Sequence, residues 1–359
     1  MAKNHLNLLH QEWAPREATR AHNPEPILPH QVDSTMMTAF ASCAKKFHTE
    51  FVLGLRPPTP SVDLHAGICS AKAIEIVQRG VWHEGLPFHE ALMRGHAAFV
   101  CEWGDFQAEK ETSKTLDNTW SAIELYFATF PPERDHVQPY YDVKGRSTNE
   151  FSFAIPLEPA IPYERYASRG SWANDPTEAC SWHADGHHYF PLHPVTREPF
   201  LWCGRFDLLG ILHGKHPCVR DEKTSGRLMG NWADSWNLRR QFLGYHWACH
   251  SLGIPVEYTV ARGIIIRSPT AKAGKGNEIV EAQKPYSRQL IAKWHEQTRR
   301  DLWRMVKCWE EEYWDFNLGE ACTQYGLCPF MDLCESHLPE NFYDNFIVHR
   351  WSPIKENVT

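Results

Sequence analysis

Apolar positions recur at helical spacing soon after residue 33. Met37, Phe40, Ala41, Ala44, Phe47 and Phe51 fall on one face of a helix that Ser34 or Thr35 can cap, running to about Leu53. Gly54 stops it, and Pro57–Pro58 keep the next stretch extended. The same periodicity predicts helices over about 64–79, 87–103 and 113–129, the last closed by Pro131–Pro132. Upstream, residues 1–33 mix Pro24, Pro26 and Pro29 with His, Asn and charges and read as an extended arm.

The period changes to two near Glu150, where Phe151, Phe153, Ile155 and Leu157 alternate with polar or small residues. Residues 160–198, rich in Pro, Gly, His and Asp, interrupt the pattern as a long insertion. Phe200–Leu212 and Pro217–Thr224 then read as two strands joined at His213–Gly214–Lys215–His216, a hairpin. A helix at Ala233–Leu252, a strand at Val256–Ile266, a Lys/Gly-rich loop at Ser268–Gly276 and a short strand at Ile279–Ala282 follow. The long helix Ser287–Tyr313 precedes a cysteine-bearing tail. The pattern predicts an α/β fold with a mixed central sheet flanked by helices, one domain over 34–340. Within it, 34–145 is the helical part, 146–286 the sheet core and 287–340 the closing helix with the cysteine-rich C-terminal staple; 341–359 is a tail.

Composition narrows the classes. Of 359 residues 42% are hydrophobic, with 15 Trp, 18 Phe and 12 Tyr, enough for a sizeable core and too many for a disordered chain. No apolar run is long enough to span a membrane, and Met1–Trp13 lacks the apolar stretch of a secretory signal, so a cytoplasmic protein is expected. In that compartment the 11 Cys read as buried thiols or metal ligands rather than disulfides. The net charge of −7 speaks against a nucleic-acid partner. The basic residues are clustered, however: Arg239 and Arg240 adjoin Gln241, and Arg262, Arg267, Lys272 and Lys275 fall in an acid-free stretch from Ala261 to Gly276. With Arg205 they form a candidate phosphate-binding track. No P-loop pattern is present, so the sequence carries no sign of an ATP motor.

The hairpin carries the strongest chemistry. It reads Gly204-Arg205-Phe206-Asp207, a turn, then Asp221-Glu222-Lys223-Thr224. Asp221 and Lys223, two apart, share one sheet face, and the pairing brings Asp207 beside them. Two neighbouring carboxylates repel unless a hard cation such as Mg²⁺ or Mn²⁺ sits between them, and a lysine can offset charge on a phosphoryl oxygen. A surface charge ladder on a hairpin would give the same spacing.

These motifs resemble the PD-(D/E)xK nuclease superfamily in its RecB-like branch, where G-R-hydrophobic-D precedes a hairpin and (D/E)-x-K-T. Gln241 and Tyr245, four apart on one helix face, match the branch's Q-x-x-x-Y pair, which places the lysine and the DNA backbone. The resemblance implies a restriction-endonuclease-like core and a Mg- or Mn-dependent DNA exonuclease of recombination, repair or phage DNA processing. Asp207, Asp221 and the Glu222 carbonyl would hold one or two ions and Lys223 would orient the attacking water. DNA, as linear ends or single strands, is the implied partner, alongside a recombinase or single-strand-binding protein. One element departs: the family's G-x-x-x-H helix has Ala71 where His is expected after Gly67. Glu75, one turn on, is the candidate replacement; His65 and Glu150 are further ones. A catalytically silent DNA-binding subunit and a metal-stapled interaction protein are the readings from other classes.

Near the end, Cys322, Cys328 and Cys334 recur at spacings of six, with Gly326 and Pro329 to turn the chain. With Cys43 they resemble the [4Fe–4S] staple of AddB-type helicase-nucleases and CRISPR-adaptation nucleases. Those proteins commonly close on C-x-x-C-x₅-C, so the wider first gap keeps a structural zinc site open, with His337 as a possible ligand. Cys180, His183, His187 and His188 in the insertion have metal-like spacing but read as loop residues.

Overall fold

The computed structural model describes residues 24–108, 112–141, 148–163, 189–268, 276–323 and 327–354. In chain order the first elements are β1 (Gln31–Val32), α1 (Ser34–Ser42), α2 (Ala44–Phe47), β2 (Leu55–Arg56), α3 (Val62–Trp82), α4 (Phe88–Trp103) and α5 (Leu116–Thr129). There follow β3 (Val137–Pro139), β4 (Asn149–Pro156), β5 (Ala160–Ile161), β6 (Phe190–Pro191), β7 (Leu201–Leu212) and β8 (His216–Ser225). The last are α6 (Arg240–Ser251), β9 (Tyr258–Ile265), β10 (Glu278–Pro285), α7 (Arg288–Glu310), α8 (Met331–Glu335) and β11 (Ile347–Val348). The chain gathers into two compact units, one of Pro60–Trp303 with Gln31–Thr35, the other of Met36–Thr59 and Arg304–Ser352.

The larger unit is α/β with a mixed central sheet flanked by helices. Its strand order is β1-β7-β8-β9-β10, with β3 and β4 pairing along the other edge of β7. β8 and β9 run parallel, so a crossover must join them, and α6 is that crossover. On one sheet face the apolar stripe of α3 (Ala66, Cys69, Ala73, Val77) packs with Phe99, Ile123, Tyr126 and Phe127 onto Ile264 and Ile266. Ser61 and Thr115 cap α3 and α5 by accepting the Leu64 and Asn118 amides, which fixes where these helices start. On the other face α6 lies unusually close to β7. A Cβ on Gly244 would stand 2.4 Å from Trp202, and one on Gly204 would stand 2.6 Å from Phe153 and 3.2 Å from Tyr245.

In the smaller unit the two chain segments are zipped by β2 and β11, antiparallel with Leu55 opposite Val348. Leu53, Leu55, Phe330, Leu333 and Phe346 form its core. The Lys45 amide donates to the Asp315 carbonyl at 3.0 Å and Asn317 donates to the Ser42 carbonyl at 2.6 Å.

Two predicted helices are interrupted. The helix over 34–53 breaks at Cys43, which is extended (φ −161°), and its last turn, His48–Val52, is a π turn. Periodicity misses this because the Lys45 amide leaves the helical ladder for Asp315, far along the chain. The helix over Ala233–Leu252 begins only at Arg240; before it a single turn, Asp234–Trp236, buries Trp236 against Phe242.

Candidate active site at a fork in the sheet

β7 and β8 pair from Leu212↔His216 back to Leu208↔Arg220, and there their ladder ends. β8 stays paired to β9 through Ser225↔Ile265, and β7 stays paired to β4 through Leu201↔Pro156. The two strands therefore part, and the first residue beyond the last pair on each is an aspartate, Asp207 and Asp221. Asp221 is fully buried, and Asp207 is half-buried at the base of the fork. Asp207 Oδ2 accepts the Glu222 amide at 3.0 Å, a side-chain bond that takes over where the ladder stops. Lys223 Nζ sits 2.6 Å from Asp221 Oδ2, with a third of its side chain (34%) open to solvent.

α6 clamps the fork. Gln241 Nε2 donates to Asp221 Oδ1 at 2.9 Å and to Tyr245 Oη at 3.0 Å; Tyr245 in turn donates to the Arg205 carbonyl at 2.6 Å. One prong, β8, is thus tied through Asp221 and the other, β7, through Arg205. The bare Cα positions of Gly204 and Gly244 allow the helix to come close enough for both bonds.

The electrostatics disfavour the charged forms of the two aspartates. The Asp207 carboxyl is raised well above the ordinary range by burial and by the charges of Asp221, Glu150 and Glu222, with Lys223 opposing. Burial also raises Asp221, against the pull of Lys223. Lys223 is raised despite its burial, because Asp221 and Asp207 favour the ammonium. Tyr245 is raised by burial and by the same two aspartates, so its hydroxyl stays protonated and donating. Hard oxygen donors from adjoining strands, carrying surplus negative charge, suit Mg²⁺ or Mn²⁺. Among the described residues no three or more His, Cys, Asp or Glu side chains stand grouped so that they could hold a metal ion, at the fork or elsewhere.

The Glu222 side chain points the other way. It accepts from Tyr126 Oη at 2.6 Å and lies 2.7 Å from Arg220 Nε, in a buried network with Asp135 and Arg262. This corrects the expectation that Arg262 contacts DNA. Its side chain is 0% exposed and is held by Asp135 and Glu281, so no phosphate can reach it. Sequence patterning gave no sign of this network, because its members are scattered from Tyr126 to Glu281.

Other expected residues are distributed unevenly. Glu75 pairs with Lys72 at 3.4 Å, and it is Glu150 whose charge acts on Asp207. His65 stacks on Phe106 and meets the Trp103 carbonyl at 3.2 Å, so its ring is engaged with α4. Arg205 pairs with Glu150, Arg240 with Asp301 and Arg267 with Glu278. Arg239 is exposed, lies over the Trp236 ring and acts electrostatically on Asp221 and Lys223, which puts it at the rim. Lys272, Lys275, Cys180, His183, His187 and His188 lie outside the described residues.

In the smaller unit, Cys43, Cys322, Cys328 and Cys334 line one cavity of about 140 Å³, together with Phe316, Leu318 and Phe330. The Cys328 amide donates to the Cys322 carbonyl at 2.8 Å, which holds these two residues together. Burial raises the Cys334 thiol, and Cys328, Cys43 and Cys322 add to the rise, which puts these three within electrostatic reach of Cys334. His337 is exposed and is not part of the lining.

No protein-family model matches the chain, and no curated protein is similar enough in sequence to count as a relative.

Proposed function

We propose that the protein is a metal-dependent deoxyribonuclease, an exonuclease with the PD-(D/E)xK arrangement. The observation that carries this reading is the fork. Two strands part at a pair of aspartates, a lysine stands beside them, and a Gln–Tyr helix ties both prongs. Asp207 and Asp221, with the Glu222 carbonyl, would hold Mg²⁺ or Mn²⁺. A divalent ion there supplies Lewis acidity for phosphodiester hydrolysis. The protein's own groups do the rest. Lys223, kept charged by the aspartates, would offset the charge that builds on a phosphoryl oxygen. Gln241 fixes the orientation of Asp221, and Arg239 at the rim meets the incoming phosphodiester backbone.

In the smaller unit the four-thiol cavity supports a [4Fe–4S] cluster. The four cysteines border one cavity together with Phe316, Leu318 and Phe330, and a structural zinc ion held by the same thiolates is the alternative.

The reading is tested by incubating linear and circular DNA, single- and double-stranded, with the protein and Mg²⁺ or Mn²⁺. Wild type should degrade linear DNA and spare circles. Asp207→Ala and Lys223→Ala should lose the activity while keeping the fold. Wild type that leaves every DNA form intact would overturn the proposal.

A further inference from the structure

The register of the sheet identifies a third carboxylate beside the two aspartates. β4 pairs with β7 as Asn149↔Leu208 and Phe151↔Phe206, which sets Glu150 opposite Asp207. On the other edge of β7, Leu208↔Arg220 is the last pair before Asp207 and Asp221. The two registers place Glu150, Asp207 and Asp221 in one row across three strands, with Asp207 in the middle. The charges of both Asp221 and Glu150 act on Asp207, and the Glu150 and Arg205 side chains meet beside it.

Glu150 leaves the regular β conformation with φ +54°, a left-handed position, and its Oε2 lies 2.6 Å from Arg205 Nε. Arg205 is two residues before Asp207 and so shares its face of β7. The row is balanced at both ends by cations of the chain, Lys223 at Asp221 and Arg205 at Glu150. At the centre, Asp207 accepts a backbone amide. Glu75 is paired within its own helix instead.

We propose that Glu150 is the third carboxylate of the divalent-metal site, in the role expected of Glu75, and that Arg205 is a latch that the arriving ion displaces. This rests on the nuclease reading of the same site. Once released, the Arg205 guanidinium stands at the cleft with its fork free for a phosphate. The two residues therefore have opposite effects on the ion: Glu150 attracts it and Arg205 competes with it for Glu150.

The test is Mn²⁺ titration of the full chain at neutral pH, by calorimetry and by the electron paramagnetic resonance of free Mn²⁺. Glu150→Gln should weaken binding about tenfold or more. Arg205→Ala should tighten it, and Glu75→Gln should match wild type. General damage to the fold cannot produce the tightening, and Glu150→Asp, which keeps the charge, should restore part of the lost affinity. If Glu150→Gln binds Mn²⁺ like wild type while Asp207→Asn does not, this inference falls and the nuclease reading stands. Wild type that binds no Mn²⁺ would remove both.

Discussion

Asp207 accepts the backbone amide of Glu222 at 3.0 Å, across the point where the β7–β8 ladder ends. The bond fixes one carboxylate oxygen of Asp207, and it needs only an acceptor, not a charge. The charge itself is disfavoured, by burial first and then by Asp221, Glu150 and Glu222.

A pH dependence follows. A carboxyl raised in the folded state contributes stability that is fully present below its ordinary value near 4 and is lost as pH rises through the raised value. Asp207→Asn keeps an acceptor oxygen for Glu222 and removes the charge. In metal-free buffer, it should melt with wild type near pH 4 and about 2–4 °C above it at neutral pH. Melting curves in EDTA across that range check the sign. A variant that melts below wild type at neutral pH would show that the Asp207 charge is favourable without metal.

The Gln–Tyr clamp makes a separable prediction. Gln241→Ala removes the amide that orients Asp221 and should lower metal affinity about tenfold or more, the usual effect of losing a group that holds a ligand in place. Tyr245→Phe removes the bond to the Arg205 carbonyl and one acceptor of Gln241, leaves the Gln241–Asp221 bond in place, and should cost about 1–2 kcal/mol of stability. Metal titration and urea unfolding of the two variants distinguish the roles. Equal metal affinities in both would contradict the assignment.

Much of this site was legible in the sequence, for a physical reason. The two strands of the hairpin are local, so the alternation of Asp221 and Lys223 and the count through the turn put Asp207 near them, and the observed contact is its bond to the Glu222 amide just past the end of the ladder. Gln241 and Tyr245 were legible because the helix period is also local. What depends on distant segments was not. Glu150, which the sequence offers only as a candidate behind Glu75, gains its place from the β4–β7 register, across the insertion that separates β4 from β7. Arg262 looked like a basic surface residue because its counter-charges, Asp135 and Glu281, belong to elements remote in sequence. The break at Cys43 was hidden in the same way, since it is drawn by a bond to Asp315.

The close approach of α6 to β7 can be tested by adding one methyl group. Gly244→Ala places a Cβ 2.4 Å from the Trp202 ring, in a region already filled by Trp294. Overpacking of this kind costs about 1–3 kcal/mol. The helix must also move away from β7, so Tyr245 should lose its bond to Arg205. The expected result is a lower urea midpoint together with a loss of DNA hydrolysis larger than that of Tyr245→Phe.

Arg239 and Arg262 should separate binding from folding. Arg239→Ala should weaken DNA binding and reduce the slope of log K against log salt by about one, with the melting temperature unchanged. Arg262→Ala leaves the buried Asp135 with Arg220 as its remaining guanidinium and Glu281 with His136 and Gln283, and should destabilise the fold toward the low end of the roughly 3–5 kcal/mol that breaking a buried pair costs. Asp135 is held below the ordinary carboxyl range, against its burial, by the Arg262 hydrogen bond and the charges of Arg220 and Arg262. Its contribution is therefore present above about pH 4 and lost as pH falls. The defect of Arg262→Ala relative to wild type should shrink on acidification, which urea unfolding at several pH values can measure.

The cysteine cavity makes the last prediction. Cys43 comes from the break between α1 and α2, and Cys322, Cys328 and Cys334 come from the segment after α7, so a bound cluster would join two segments already zipped by β2 and β11. Anaerobically purified protein should be brown, with iron and sulfide in equal amounts. Replacing any one of the four with Ser should bleach it, while Cys69→Ser, deep in the core of the larger unit, should leave the colour unchanged. Because Asp207, Asp221 and Lys223 belong to the larger unit, Mn²⁺ binding should survive in Cys334→Ser as long as that unit stays folded. Colourless protein carrying one zinc per chain would replace the cluster with a structural zinc site.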